Sequence, residues 1–82
     1  MKLAIAKLIG RHVVARRIER GLTQEQVALK AGVSRQAISL IERGLQTPSW
    51  PTLYLVAAVL KCEVYDFLPT YKQVATSNHD HS

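Results

Sequence analysis

One cysteine, three prolines and four glycines in 82 residues remove several kinds of chemistry at the outset. Cys62 alone can form neither an intramolecular disulfide nor a cysteine-based zinc site. Such sparing use of cysteine fits a reducing compartment. Long apolar runs are missing too. Leu3 to Ile9 is broken by Lys7, and it lacks both the uninterrupted core of about 7–15 apolar residues and the cleavage pattern of a secretory signal. Leu53 to Leu60 falls far short of the ~20 residues that cross a bilayer. There is no repeat, no low-complexity tract and no useful stretch of strand-like alternation. No Ser/His/Asp or paired-carboxylate arrangement has supporting context, and no glycine-rich loop could cradle a phosphate. The expectation is a soluble, cytoplasmic protein that is not an enzyme, has no cofactor and does not engage a membrane. His79-Asp80-His81 reads as part of a polar tail rather than as a metal site.

What is present is charge, unevenly placed. Residues 1–43 hold nine Lys/Arg against three Glu, a balance of +6, whereas residues 44–82 hold two Lys against one Glu and two Asp, a balance of −1. A basic half joined to a near-neutral half fits a polyanion-binding part and a self-associating part, although a basic soluble protein would show the same totals. An apolar fraction of 48% supports one small core, to which a partner subunit could add.

Glycine and proline divide the chain into segments with helical spacing. The first covers Ala4 to Arg20, with Ile5, Leu8, Ile9 and Val13 on one stripe and Gly21 as its C-cap. Thr23 opens the second, with Gln26 at the capping-box position, and Val27, Ala28 and Ala31 face inward before Gly32. Ser34 opens the third, which buries Ala37, Ile38 and Ile41 and stops at Gly44. Ser49 caps a fourth, with Pro51 in its first turn and Leu53, Val56, Ala57 and Leu60 inward. A short fifth turn, Val64 to Leu68, ends before Pro69. The fold class is therefore all-α. The reading gives one domain over residues 1–70 and a flexible tail over 71–82, because Thr76 to Ser82 has no apolar content to offset the entropy of ordering.

Gly32 and Val33 plus a cap are all that join the second and third segments, so the two helices must cross sharply. Ala28 is small enough to admit the next helix, Gly32 can take the left-handed conformation, and Val33, Ile38 and Ile41 form an apolar wedge. That assignment leaves Ser34, Arg35, Gln36, Ser39 and Arg43 on the outside of the third helix, with no acid at its start. Arginine can bond guanine O6 and N7 in bidentate fashion, and glutamine adenine N6 and N7. A protruding helix so equipped suits a major groove about 12 Å wide.

The stretch GLTQEQVALKAGVSRQAISLIERG, Gly21 to Gly44, resembles the Xre/Cro/C1-type helix-turn-helix regulators. Pro48-Ser49, Thr52-Leu53 and Tyr65 to Leu68 resemble that family's fourth and fifth helices, and the likeness spans about residues 9–69. The resemblance implies a compact five-helix, lambda-repressor-like DNA-binding domain, a two-fold homodimer and a palindromic double-stranded DNA operator. By the same resemblance Arg35 and Gln36 fall at the principal base-reading positions, and Ser34 and Ser39 at positions that touch bases or backbone. Gln24 matches a phosphate-anchoring glutamine that also braces the recognition helix. Arg43, Gln46 and Thr47 match backbone contacts. Arg17 and Glu42 match a paired Arg and Glu that links the first helix to the third, with phosphate contact a secondary role for Arg17. Arg35 stands where several phage repressors have glutamine, which favours guanine.

Arg11, Arg16 and Arg20 could also touch phosphate, although charges on a first helix usually form its solvated face. All five aromatics, Trp50, Tyr54, Tyr65, Phe67 and Tyr71, lie in the near-neutral half and are candidates for a dimer interface. A dimer would set two recognition helices ~34 Å apart, one turn of DNA. The leading reading is a transcriptional repressor. An autoregulating restriction-modification controller, or an antitoxin whose toxin partner would hold the segment from Pro69 to Ser82, remains open beside it. So do a protein-interaction module that keeps the fold without DNA, and a nonspecific RNA or polyanion binder.

Overall fold

Four helices begin where a hydroxyl side chain accepts a hydrogen bond from the backbone three residues on, the last of them after Thr70. Thr23 Oγ1 accepts from Gln26 N at 3.1 Å, Ser34 Oγ from Ala37 N at 3.0 Å and Ser49 Oγ from Thr52 N at 3.3 Å. The Gln26 side chain completes a capping box by accepting from Thr23 N at 2.9 Å. The computed structural model of the chain describes residues 2–79. It contains α1 (Lys2–Glu19), α2 (Gln24–Ala31), α3 (Arg35–Glu42), α4 (Trp50–Val59), a 3-10 turn (Val64–Phe67) and α5 (Tyr71–His79). No strand occurs among the described residues.

Helix α2 ends at Gly32, whose φ of 72° and ψ of 30° place it in the left-handed region that other residues enter only with strain. Val33 N then donates back to Ala28 O at 3.0 Å, and α3 starts two residues later. α3 packs on both α1 and α2, α2 packs on α4, and α1 also receives the 3-10 turn and α5. Val27, Ile38, Leu60 and Phe67 have no exposed surface and mark the centre of one apolar core. Burying a side chain of this class is worth roughly 1.5–3 kcal/mol.

Gly10 lies inside α1, within the first helical segment that the spacing predicts. A Cβ there would stand 2.5 Å from Ile41 O and 2.7 Å from Glu42 O. Glycine thus lets the backbone of α1 cross the C-terminal end of α3 almost in contact.

Two expectations change. The fifth segment is a tight 3-10 turn that sends Phe67 into the core at zero exposure, so Phe67 leaves the set of dimer-interface candidates. A side chain sealed within one subunit has no surface to offer another. Residues 71–79, expected as tail, form α5. Thr70 and Gln73 make a second capping box, with Thr70 N donating to Gln73 Oε1 at 2.8 Å and Gln73 N to Thr70 Oγ1 at 3.1 Å. Packing against α1 supplies the contact that the tail's own composition lacks. Asp80, His81 and Ser82 lie outside the described residues.

Candidate nucleic-acid interface

α3 is one face apolar and one face polar. Ile38 and Ile41 point into the core at 0% and 3% exposure, whereas Ser34, Arg35, Gln36 and Arg43 are exposed and Ser39 is half-buried. No acid occupies its first turn. Arg35 and Gln36 are exposed, so their polar groups are open to solvent. Ser34 combines two positions in one residue, since its hydroxyl is already engaged in capping α3. Arg43 follows the helix and bends its Nε back to 3.4 Å from Ser39 O, a long contact that leaves the guanidinium available. Gln46 and Thr47 continue the exposed loop.

Behind this face, one carboxylate joins three helices. Arg17 Nε donates to Glu42 Oε2 at 2.6 Å and Arg17 Nη2 to Glu42 Oε1 at 3.0 Å. Gln24 Nε2 donates to the same Oε1 at 2.9 Å, and Arg17 Nη1 to Leu22 O at 2.9 Å. The two charged side chains are 17% and 4% exposed. All three guanidinium nitrogens of Arg17 therefore donate within the chain, which makes bracing α3 its main occupation. The hydrogen bonds to Glu42 raise the Arg17 pKa above the usual arginine value against the opposing effect of burial, and the carboxylate charge adds to the rise. A raised folded-state pKa means this stabilisation is complete below arginine's ordinary range and fades only above it, so it is constant through neutral pH.

Gln24 occupies the first position of α2 and borders an open cleft of about 380 Å³ lined by Arg17, residues 21–25 and Arg35. Two cations, the N-terminal end of a helix and a side-chain amide converge there, with Glu25 the one acid of the lining. Free backbone N–H groups and the positive end of a helix dipole favour an anion at such a place. This corner supplies donors of the kind a phosphate oxygen accepts from, while the first turn of α3 offers groups able to make bidentate bonds.

The remaining arginines of α1, and Arg20 just beyond it, divide in a way that spacing could not show. Arg20 Nε donates to Leu60 O at 2.7 Å and its Nη2 to Lys61 O at 3.0 Å, closing the C-terminal end of α4. Arg16 lies 3.5 Å from both Glu19 and Asp66. Apart from Glu19, these partners sit far along the chain, so nothing local signals them. Arg11 stays exposed. On the opposite side of the composition, Trp50, Tyr54, Tyr65 and Tyr71 are 60–79% exposed, and Leu45 and Leu55 join them at 61% and 47%.

Residues 13–67 match the helix-turn-helix family HTH_3. The chain is 44% identical over 54 residues to an uncharacterized HTH-type transcriptional regulator of Sinorhizobium fredii, covering 66% of this chain and 70% of the relative. It is 42% identical over 62 residues to the HTH-type transcriptional regulator SinR of Bacillus subtilis, covering 74% of this chain but only 56% of SinR. Among solved structures, SinR in complex with DNA is similar with a TM-score of 0.70 at 40% identity, over 72% of this chain and 95% of that one. With the match extending across the bend at Gly32 and the helices on either side of it, the chain belongs to the helix-turn-helix (HTH_3) family.

Proposed function

We propose that this protein binds double-stranded DNA in a sequence-specific manner as a dimeric transcriptional regulator, and that it represses by occupying a palindromic operator. The observation that carries the reading is the exposed polar face of α3, Arg35 and Gln36 first, held on a base braced by the Arg17–Glu42–Gln24 hydrogen bonds. In this reading Arg35 and Gln36 reach base edges, with Ser34 and Ser39 beside them. Gln24 anchors a phosphate at the cleft, and Arg43, Gln46 and Thr47 follow the backbone beyond α3. Arg17 serves phosphate only through the donors that Glu42 and Leu22 leave over. The names of its relatives, transcriptional regulators, and the DNA in the SinR complex support the same chemistry.

The homodimer rests on the exposed aromatics. Trp50 and Tyr54 lie one turn apart on α4, and leaving both in water is costly for a monomer of this size. Two copies multiply weak half-site affinities through effective concentration. The protein acts as a binder and not as a catalyst, and its place is the cytoplasm, where such operators are found. Among the described residues no helix is long and apolar enough to cross a membrane.

Selection of bound duplexes from a random pool tests the whole reading at once. The expected outcome is enrichment of two inverted half-sites with centres about one helical turn apart. Absence of any enriched sequence would return the chain to the class of nonspecific polyanion binders or interaction modules.

A further inference from the structure

Basic side chains on α1 and just beyond it fall into two groups. Near its C-terminal end Arg16 and Arg17, and Arg20 one residue past it, all have partners inside the chain. Toward its N-terminal end Lys7 and Arg11 are exposed and take part in none of the ion pairs of the described residues. Their position follows from two close approaches. A Cβ on Gly44 would stand 2.7 Å from both Cα and Cγ of Lys7, so this lysine lies directly along the residue after Arg43. A Cβ on Gly10 would meet Ile41 O and Glu42 O, so the same face of α1 rests on the last turn of α3. Lys7 and Arg11 are four residues apart and share a side of the helix.

Neither Lys7 nor Arg11 is paired with an acid among the described residues. The first acid of the chain is Glu19, twelve residues beyond Lys7 and about 18 Å farther along the helix. Glu42 is near, but its carboxylate is 4% exposed and already accepts three hydrogen bonds. Lys7 and Arg11 therefore extend a basic strip from Arg43 and its loop onto α1, outside the residues 13–67 that match the family.

We propose that Lys7 and Arg11 form a further phosphate-binding strip, which holds the sugar-phosphate backbone of duplex DNA beside the α3–α4 loop. This rests on the DNA-binding reading and adds to it a sequence-independent contact made by the start of α1. The strip contributes affinity and salt sensitivity, not base preference.

The test is the salt dependence of binding of the full chain to a short mixed-sequence duplex, followed by fluorescence anisotropy. Every phosphate that a variant leaves unneutralised should reduce the slope of log K against log salt by about 0.9. Lys7→Gln and Arg11→Gln are each expected to show that change, and the double variant about 1.8. Lys7→Arg should retain the wild-type slope. Lys72→Gln, which removes the same charge from α5, should leave the slope unaltered and so excludes a general effect of net charge. Circular dichroism melts check that the variants fold, and the Lys7→Arg comparison holds even if Lys7→Gln is unstable. An unchanged slope in the double variant, or an equal fall in Lys72→Gln, would overturn this proposal alone. A wild-type chain without affinity for any duplex would overturn the DNA-binding reading as well.

Discussion

Helix α3 buries Ile38 and Ile41 and turns Arg35 and Gln36 outward, whereas α4, also begun by a serine cap, buries Leu53, Val56 and Ala57 and turns Trp50, Tyr54 and Leu55 outward. Both helices are anchored in one core, and both leave a face uncovered. The faces differ in what could cover them. α3 offers donors and acceptors at fixed spacing, which suits a polar, hydrated surface such as a groove edge. α4 offers rings with little to bond, and the water they order is released only when another apolar surface arrives. A small domain can thus leave two faces of opposite chemistry uncovered without enlarging its core.

The bracing also differs. α3 is tied to α1 and α2 through Glu42, and α4 is closed at its end by Arg20 donating to carbonyls. The largest effect is expected from Glu42→Ala. It leaves Arg17 and Gln24 without their shared acceptor and should cost about 3 kcal/mol, since breaking a buried pair strands the remaining charge. Urea denaturation measures it. A destabilisation below about 1 kcal/mol would show that packing alone holds α3, and that the contrast in bracing is unimportant.

Gly10→Ala comes next and has an unusual sign. Replacing an interior helical glycine by alanine ordinarily stabilises by roughly 0.5–1 kcal/mol. Here the new methyl meets Ile41 O and Glu42 O, so a destabilisation of about 1–3 kcal/mol is expected. A higher melting temperature would disprove the close approach of α1 to α3.

Arg35→Ala and Gln36→Ala should leave the melting temperature nearly unchanged. On the selected site each should weaken binding by about 1–3 kcal/mol and relax preference at one base pair. Equal weakening on every sequence would move that residue from base reading to backbone contact. The smallest change in fold stability is expected from Tyr54→Glu, within about 0.5 kcal/mol, because the side chain is 65% exposed. Sedimentation should nevertheless show the dimer dissociating. If the mass stayed constant, the aromatic face of α4 would need another partner.

Much of this was legible without coordinates because it is written in local pairs. The Thr23/Gln26 capping box, the serine caps at 34 and 49 and the glycine at 32 each act within four residues, where backbone chemistry decides the outcome. The family resemblance supplied the Arg17 and Glu42 pairing, which spans twenty-five positions. α5 is masked in the sequence although Thr70 and Gln73 carry the same capping signature as Thr23 and Gln26, because the polar composition beyond Val74 points to a tail. Phe67 is indistinguishable from the other aromatics in the sequence because composition does not say which ring a short turn will bury.

The chain's own order of residues determined where its helices start, how sharply α2 and α3 cross, and which face of α3 is polar. Those are consequences of side chains acting on backbone a few bonds away. Only the tertiary structure decided which arginines of α1 serve as struts and which basic side chains remain open to solvent. It also decided that Gly10 is a point of contact and that Phe67 belongs to the core. Each of these depends on a partner brought close in space from a distant part of the chain, and distance along a sequence carries no record of that approach.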